Sequence, residues 1–174
     1  PSQSSAASDV YKRQLRDSDP GAVYAMTSTL RIPIINAGNG IDEHPTQAMA
    51  DLYTIFKWRP KLAEAEVAPA DRIRIGIVGI PSRMRTVRSL LRILAKFPQT
   101  VDEVVVIHAP GLEPDQPLFD PGQLEELEAC GMKVRSSTDL QAEVPDLDVV
   151  YINAIAWVGD CLLYTSPSPR DLAR

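Results

Sequence analysis

His44 and Gln47 are the two side chains in this sequence best placed to do chemistry. They stand three residues apart at what reads as the start of a helix, so they project from one side of its first turn. Pro45, between them, favours the first helical position. Ala48, Met49, Leu52, Ile55 and Phe56 follow at helical spacing and give the helix one apolar face. Upstream, residues 32–35 read as a short strand that runs into turn signals at Gly38 and Gly40. Free backbone N–H groups and the positive end of a helix dipole gather where the helix begins. That setting suits a small ligand with a carbonyl or a phosphate. A histidine there can equally be a helix cap or a satisfied surface group, so spacing alone leaves both readings open.

The remaining chain must hold this turn in place. Its 174 residues are 44% hydrophobic and 24% charged, the balance of an ordinary globular protein, enough for one domain or pieces of two. A net charge of −5 argues against a general nucleic-acid binder. Cys130 and Cys161 form neither a disulfide framework nor a metal spacing and fit a reducing cytoplasm. With only His44 and His108 as histidines, no His-rich metal site is expected. No apolar run reaches bilayer length, and no secretory leader is visible. The expectations are a cytoplasmic protein that acts without metal, nucleic acid or membrane.

Both ends depart from the rest. Residues 1–14 are polar, Ser-rich and aperiodic; residues 161–174 open on a short apolar run and turn to Ser-Pro repeats. Both read as non-native flanks rather than carriers of fold or function. Between them strand and helix alternate. Residues 22–29 predict a short helix, and the helix from Pro45 runs to about Lys57, where Pro60 stops it. Residues 61–70 form a polar connector. A second unit follows, with strands over 72–80, 103–108, 132–136 and 148–152. Helices lie between them over 85–97, with Val87, Leu90, Leu91 and Leu94 on one face, and over 121–130, closed by Gly131. This order predicts an α/β architecture with mainly parallel sheets.

Ligands bind such sheets at the carboxyl ends of the strands. The turn Gly79-Ile-Pro-Ser-Arg-Met-Arg85-Thr86 lies there. As a dinucleotide loop it fails, because it lacks Gly-x-Gly-x-x-Gly and places Pro81 and Arg83 where a pyrophosphate would approach.

The block Asn36-Ala-Gly-Asn-Gly, followed by His44-Pro-Thr-Gln47 and Asp51-Leu-Tyr-Thr-Ile55, resembles the signature of aspartate carbamoyltransferases. Ornithine enzymes of the same superfamily share His-Pro-x-Gln but usually lack the Asn-Ala-Gly lead. The resemblance covers roughly residues 15–158 and corresponds to the middle of such an enzyme. It implies Rossmann-like domains. Residues 15–58 would end the carbamoyl phosphate-binding domain, and residues 59–160 would begin the aspartate-binding domain. It also implies roles: His44 and Arg16 catalytic, with Arg16, His44 and Gln47 binding carbamoyl phosphate. Arg85-Thr86-Val87-x-Ser89-Leu90 resembles the family motif whose arginine, here Arg85, binds a carboxylate of aspartate, a task that suits a guanidinium fork. No cofactor is implied, and the family suggests a homotrimer or larger assembly with shared active sites.

Three departures bear on the second substrate. Ile80 stands where the family usually has Asp, Arg83 adds a positive charge, and Asn153-Ala154 replaces Thr-Arg after Tyr151. The expected phosphate loop, lysine loop, second arginine loop and His-Pro-Leu-Pro segment of the family are not in this sequence. The 174-residue chain alone is therefore expected to be inactive. The alternatives are a carbamoyltransferase for another amine such as ornithine, and a non-catalytic α/β binding paralogue.

Overall fold

A computed structural model describes residues 14–110 and 117–152. The first of two parallel sheets pairs β1 (Gln14–Asp17) with β2 (Ile35–Asn39), joined through α1 (Ala22–Thr27). The second has the strand order β5-β4-β3-β6. Its strands are β3 (Ile73–Val78), β4 (Val101–Ile107), β5 (Lys133–Ser137) and β6 (Val149–Ile152), all paired in parallel. Parallel neighbours require crossovers. These are supplied by α3 (Arg85–Leu94), α4 (Gln123–Ala129) and the short α5 (Leu140–Glu143). The α/β, parallel-sheet expectation holds.

The helix that starts at the candidate site is α2 (Pro45–Trp58). Its Ala48, Leu52 and Ile55 join one buried cluster with Ile75 and Ile77 of β3 and Val87, Leu90, Leu91 and Leu94 of α3. The last four are fully buried, as their helical spacing predicts. Each such side chain contributes about 1.5–3 kcal/mol on burial. α2 touches β2 as well as α3, so its start belongs to the first sheet's edge and its flank to the second sheet's core.

Several boundaries move. The strand expected over 32–35 lies over Ile35–Asn39 instead. Pro33 has no N–H to give a ladder, and Ile32 stays 47% exposed. The glycine-containing segment that reads as a turn is the strand itself, paired Leu15 to Asn36 and Asp17 to Asn39. Gln14, expected to close the flank, opens β1. The polar connector contains two single 3₁₀ turns, Pro60–Ala63 and Pro69–Asp71. α4 closes as expected: Gly131 (φ 84°) donates to the Glu128 carbonyl and Met132 to that of Leu127, a Schellman ending.

A ladder of ion pairs crosses the second sheet. Arg74 of β3 bonds Glu103 of β4 at 2.8 Å. Arg135 of β5 bonds Glu103 at 3.0 Å and Glu143 at 2.6 Å. The Arg135 guanidinium holds the Glu143 carboxyl down to about 2. Expected features at Ala154 and over 161–174 lie outside the described residues.

Candidate active site

The turn after β2 is built on Asn39, which is fully buried. Its Nδ2 donates to the Pro20 carbonyl at 2.9 Å and to Asp42 at 2.8 Å. Its Oδ1 accepts from Asn36 Nδ2 at 2.7 Å and from the Glu43 amide at 3.2 Å. All four bonds an amide side chain can make are used, so the four residues between β2 and His44 are held without a helix or strand of their own.

His44 is the N-cap of α2, and its side chain accepts from the Gln47 amide. The Nδ1 to N distance is 3.3 Å. A backbone N–H can only donate, so Nδ1 must be the bare nitrogen and the neutral ring carries its proton on Nε2. Burial holds the imidazole below its ordinary value of 6.5, and the charges of Arg85 and Arg16 push it the same way. At neutral pH the ring is therefore an uncharged donor through Nε2. It is also fixed from behind, because the His44 amide donates to Ser89 Oγ at 2.9 Å.

Gly38 makes room for this ring. It is buried at φ +113°, and a Cβ there would lie 3.2 Å from His44 Cδ2, 3.4 Å from Nε2 and 3.6 Å from Arg85 Nη1. His44 and Arg85 thus converge over a backbone with no side chain.

Arg85 begins α3, and three further residues of that helix reach the same turn. Arg85 donates to the Gly40 carbonyl and Arg88 to the Ile41 carbonyl. Ser89 and Arg92 both donate to the buried carboxylate of Glu43. Positions 85, 88, 89 and 92 have the same spacing as the buried face 87, 90, 91 and 94, turned to another side of the helix. α3 therefore uses one stripe for the core and one to grip the turn. That second stripe was present in the sequence but reads as solvated charge, because its acceptors, the carbonyls of Gly40 and Ile41 and the carboxylates of Glu43 and Asp120, all lie on other segments.

Of the predicted site residues, the structure brings His44, Gln47 and Arg85 together at the start of α2. Arg16 is exposed at the edge of β1, close enough for its charge to act on His44. Gln47 donates from Nε2 to Asp51 at 2.9 Å, and Asp51 accepts from the Tyr151 hydroxyl of β6 at 2.7 Å. Sequence reasoning assigned no role to Glu43, Asp51 or Tyr151, since the partners of Glu43 and the pairing of Asp51 with Tyr151 join different elements. The loop carrying Ile80 and Arg83 is anchored elsewhere: Ser82 bonds the Leu118 carbonyl through its amide at 2.9 Å and the Pro117 carbonyl through its hydroxyl at 2.7 Å. An open hollow of about 430 Å³, lined by Ile41, Ser82, Arg83 and Arg88, lies between loop and turn. Among the described residues no group of three or more His, Cys, Asp or Glu is placed to hold a metal ion. No helix among them is long and apolar enough to cross a membrane.

An uncharged histidine donor and an arginine stand over a bare glycine, at a strand end opening into a helix on an α/β scaffold, and together present an N–H and positive charge suited to a small polarised anion. The chain belongs to the aspartate/ornithine carbamoyltransferase family. Residues 9–57 match the family model described as aspartate/ornithine carbamoyltransferase, carbamoyl-P binding domain. Within the family its likeness is to aspartate carbamoyltransferases. The catalytic subunit of Methanopyrus kandleri is 35% identical over 141 residues, 81% of this chain and 40% of that one. The subunit of Thermococcus onnurineus is 39% identical over 136 residues, covering 78% and 38%. The aspartate transcarbamoylase of Trypanosoma cruzi, solved in complex with carbamoyl phosphate and aspartate, superposes with a TM-score of 0.60 at 31% identity. The match covers 84% of this chain and 46% of that one. The chain thus spans about two fifths of the length of the curated relatives it matches.

Proposed function

We propose that this chain carries the carbonyl-activating part of an aspartate carbamoyltransferase active site. The reaction moves the carbamoyl group of carbamoyl phosphate to the α-amine of L-aspartate and releases phosphate, a step of pyrimidine biosynthesis. As the amine attacks the carbonyl carbon, negative charge grows on the carbonyl oxygen. A fixed donor aimed at that oxygen lowers the barrier by about 3–4 kcal/mol. The observation that carries this reading is the bond from the Gln47 amide to His44 Nδ1, which sets the tautomer. With Nδ1 occupied by the Gln47 amide, only the Nε2 proton can face a ligand, and it does so over Gly38.

Arg16 adds positive charge on the carbamoyl phosphate side. Gln47 accepts from the carbamoyl N–H through Oε1. Arg85 pairs with a carboxylate of aspartate while one of its nitrogens stays on the Gly40 carbonyl. The neighbouring hollow of about 430 Å³ offers room for a dicarboxylate. An ornithine site would need an acidic group for the side-chain amine instead, where an aspartate site needs a second cation. Residues 15–58 and 59–160 would belong to the carbamoyl phosphate and aspartate domains. The working enzyme would be a cytoplasmic homotrimer or larger assembly.

The test uses a chain extended at both ends with the matching segments of the Thermococcus onnurineus subunit. His44→Ala is expected to lower carbamoyl aspartate formation about a hundred- to a thousandfold, with carbamoyl phosphate affinity little changed. A change in affinity alone would reduce His44 to a helix cap.

A further inference from the structure

Gln47 is useful to a carbamoyl group only if its oxygen, and not its NH2, faces the ligand. The side chain is exposed, and an unrestrained amide turns freely about its last bond. Here it is restrained. Nε2 donates to Asp51 Oδ1 at 2.9 Å, four residues along the same face of α2. An ionised carboxylate only accepts, so the NH2 branch must point to Asp51 and the oxygen to the other side.

Asp51 is itself held from another element. Tyr151, on β6, donates to Asp51 Oδ2 at 2.7 Å. Burial and this bond raise the Tyr151 hydroxyl to about 12, so it remains a donor throughout the neutral range. The chain of donors runs from Gln47 and Tyr151 into one carboxylate, with no member free to reverse.

We propose that Asp51 and Tyr151 are positioning residues that lock the Gln47 amide with Oε1 towards the ligand, so that the site selects a carbonyl bearing an N–H over one of the same shape bearing a methyl. This rests on the reading of the site as a carbamoyl phosphate site. Carbamoyl phosphate and acetyl phosphate differ by that one group, which makes them the probes.

The experiment uses the chain extended at both ends as above, labelled with 15N at glutamine. In the wild type the Gln47 NH2 protons should be widely split, one of them hydrogen-bonded and slow to exchange. Carbamoyl phosphate should bind roughly tenfold more tightly than acetyl phosphate, the worth of one hydrogen bond. Asp51→Asn should remove the protected proton and bring the two affinities together. Tyr151→Phe, which removes one oxygen and keeps the ring, should move both readouts part of the way. A protected amide and unchanged preference in both variants would overturn the proposal. So would a wild type that binds both phosphates equally, while leaving the reading of the site intact. A wild type that binds neither would remove the site reading and the proposal with it.

Discussion

Arginines do opposite things at two places in this molecule. In the ladder across β3, β4 and β5, Arg74 and Arg135 meet carboxylates of Glu103 and Glu143. Every charge there has a counter-charge beside it, near solvent, and such pairs are worth little to stability. At the turn after β2, Arg85 and Arg88 spend bonds on the carbonyls of Gly40 and Ile41, which carry no net charge. The Arg85 guanidinium holds the turn and still keeps its positive charge, and that charge depresses His44. Arg88 and Arg92 are paired there, with Asp120 at 3.3 Å and with the buried Glu43, which leaves Arg85. The ladder uses charge to join strands. The turn is held by geometry, and charge is left over for a ligand.

The difference can be broken by substitution. Glu43→Ala removes a buried carboxylate from under Arg92 and the buried Ser89 and should cost about 1–3 kcal/mol in urea unfolding. Glu143→Ala in the ladder should cost clearly less, and the reverse order would refute the contrast. Gly38→Ala puts a methyl against His44 at a positive φ and should cost about 1–3 kcal/mol. It should also free the Gln47 amide to exchange, because the ring it caps is displaced.

A finer test follows the His44 ring by NMR titration. Arg85→Gln should raise the His44 pKa, Arg16→Gln should raise it less, and Arg74→Gln should leave it where it is. Equal responses to Arg85 and Arg74 would mean that the spare charge at the turn is not local. The smallest effects are in pH dependence, and both follow from depressed values. Glu143, at about 2 against an ordinary 4.5, contributes stability that is present above 4.5 and fades as pH falls towards 2. His44, below its ordinary 6.5, contributes a cap that is present above 6.5 and is lost as pH falls through its folded value. There the second ring proton would oppose the Gln47 amide. Stability curves of His44→Ala and wild type should therefore converge on acidification.

Much of this was legible in the sequence. The apolar stripes of α2 and α3 are long and strictly periodic, and they placed both helices and the core. The His44 to Gln47 spacing placed both residues at the start of α2. What was not legible was which polar residues act on one another. Asn39 lies in a segment that reads as an ordinary turn, yet it is fully buried with four bonds. Asp51 and Tyr151 are a hundred residues apart, and nothing local marks either. The strand over Ile35–Asn39 was missed because its asparagines and glycines have low strand propensity. It is kept straight by pairing with β1 and by its own side-chain bonds.

The loop that bears Ile80 and Arg83 is tied through Ser82 to Leu118 and Pro117, whereas Arg85, a few residues on, grips the turn that carries His44. Neighbouring positions in the chain thus answer to different anchors. Residues 80–83 can vary in sequence while the clasp between α3 and the His44 turn keeps its shape.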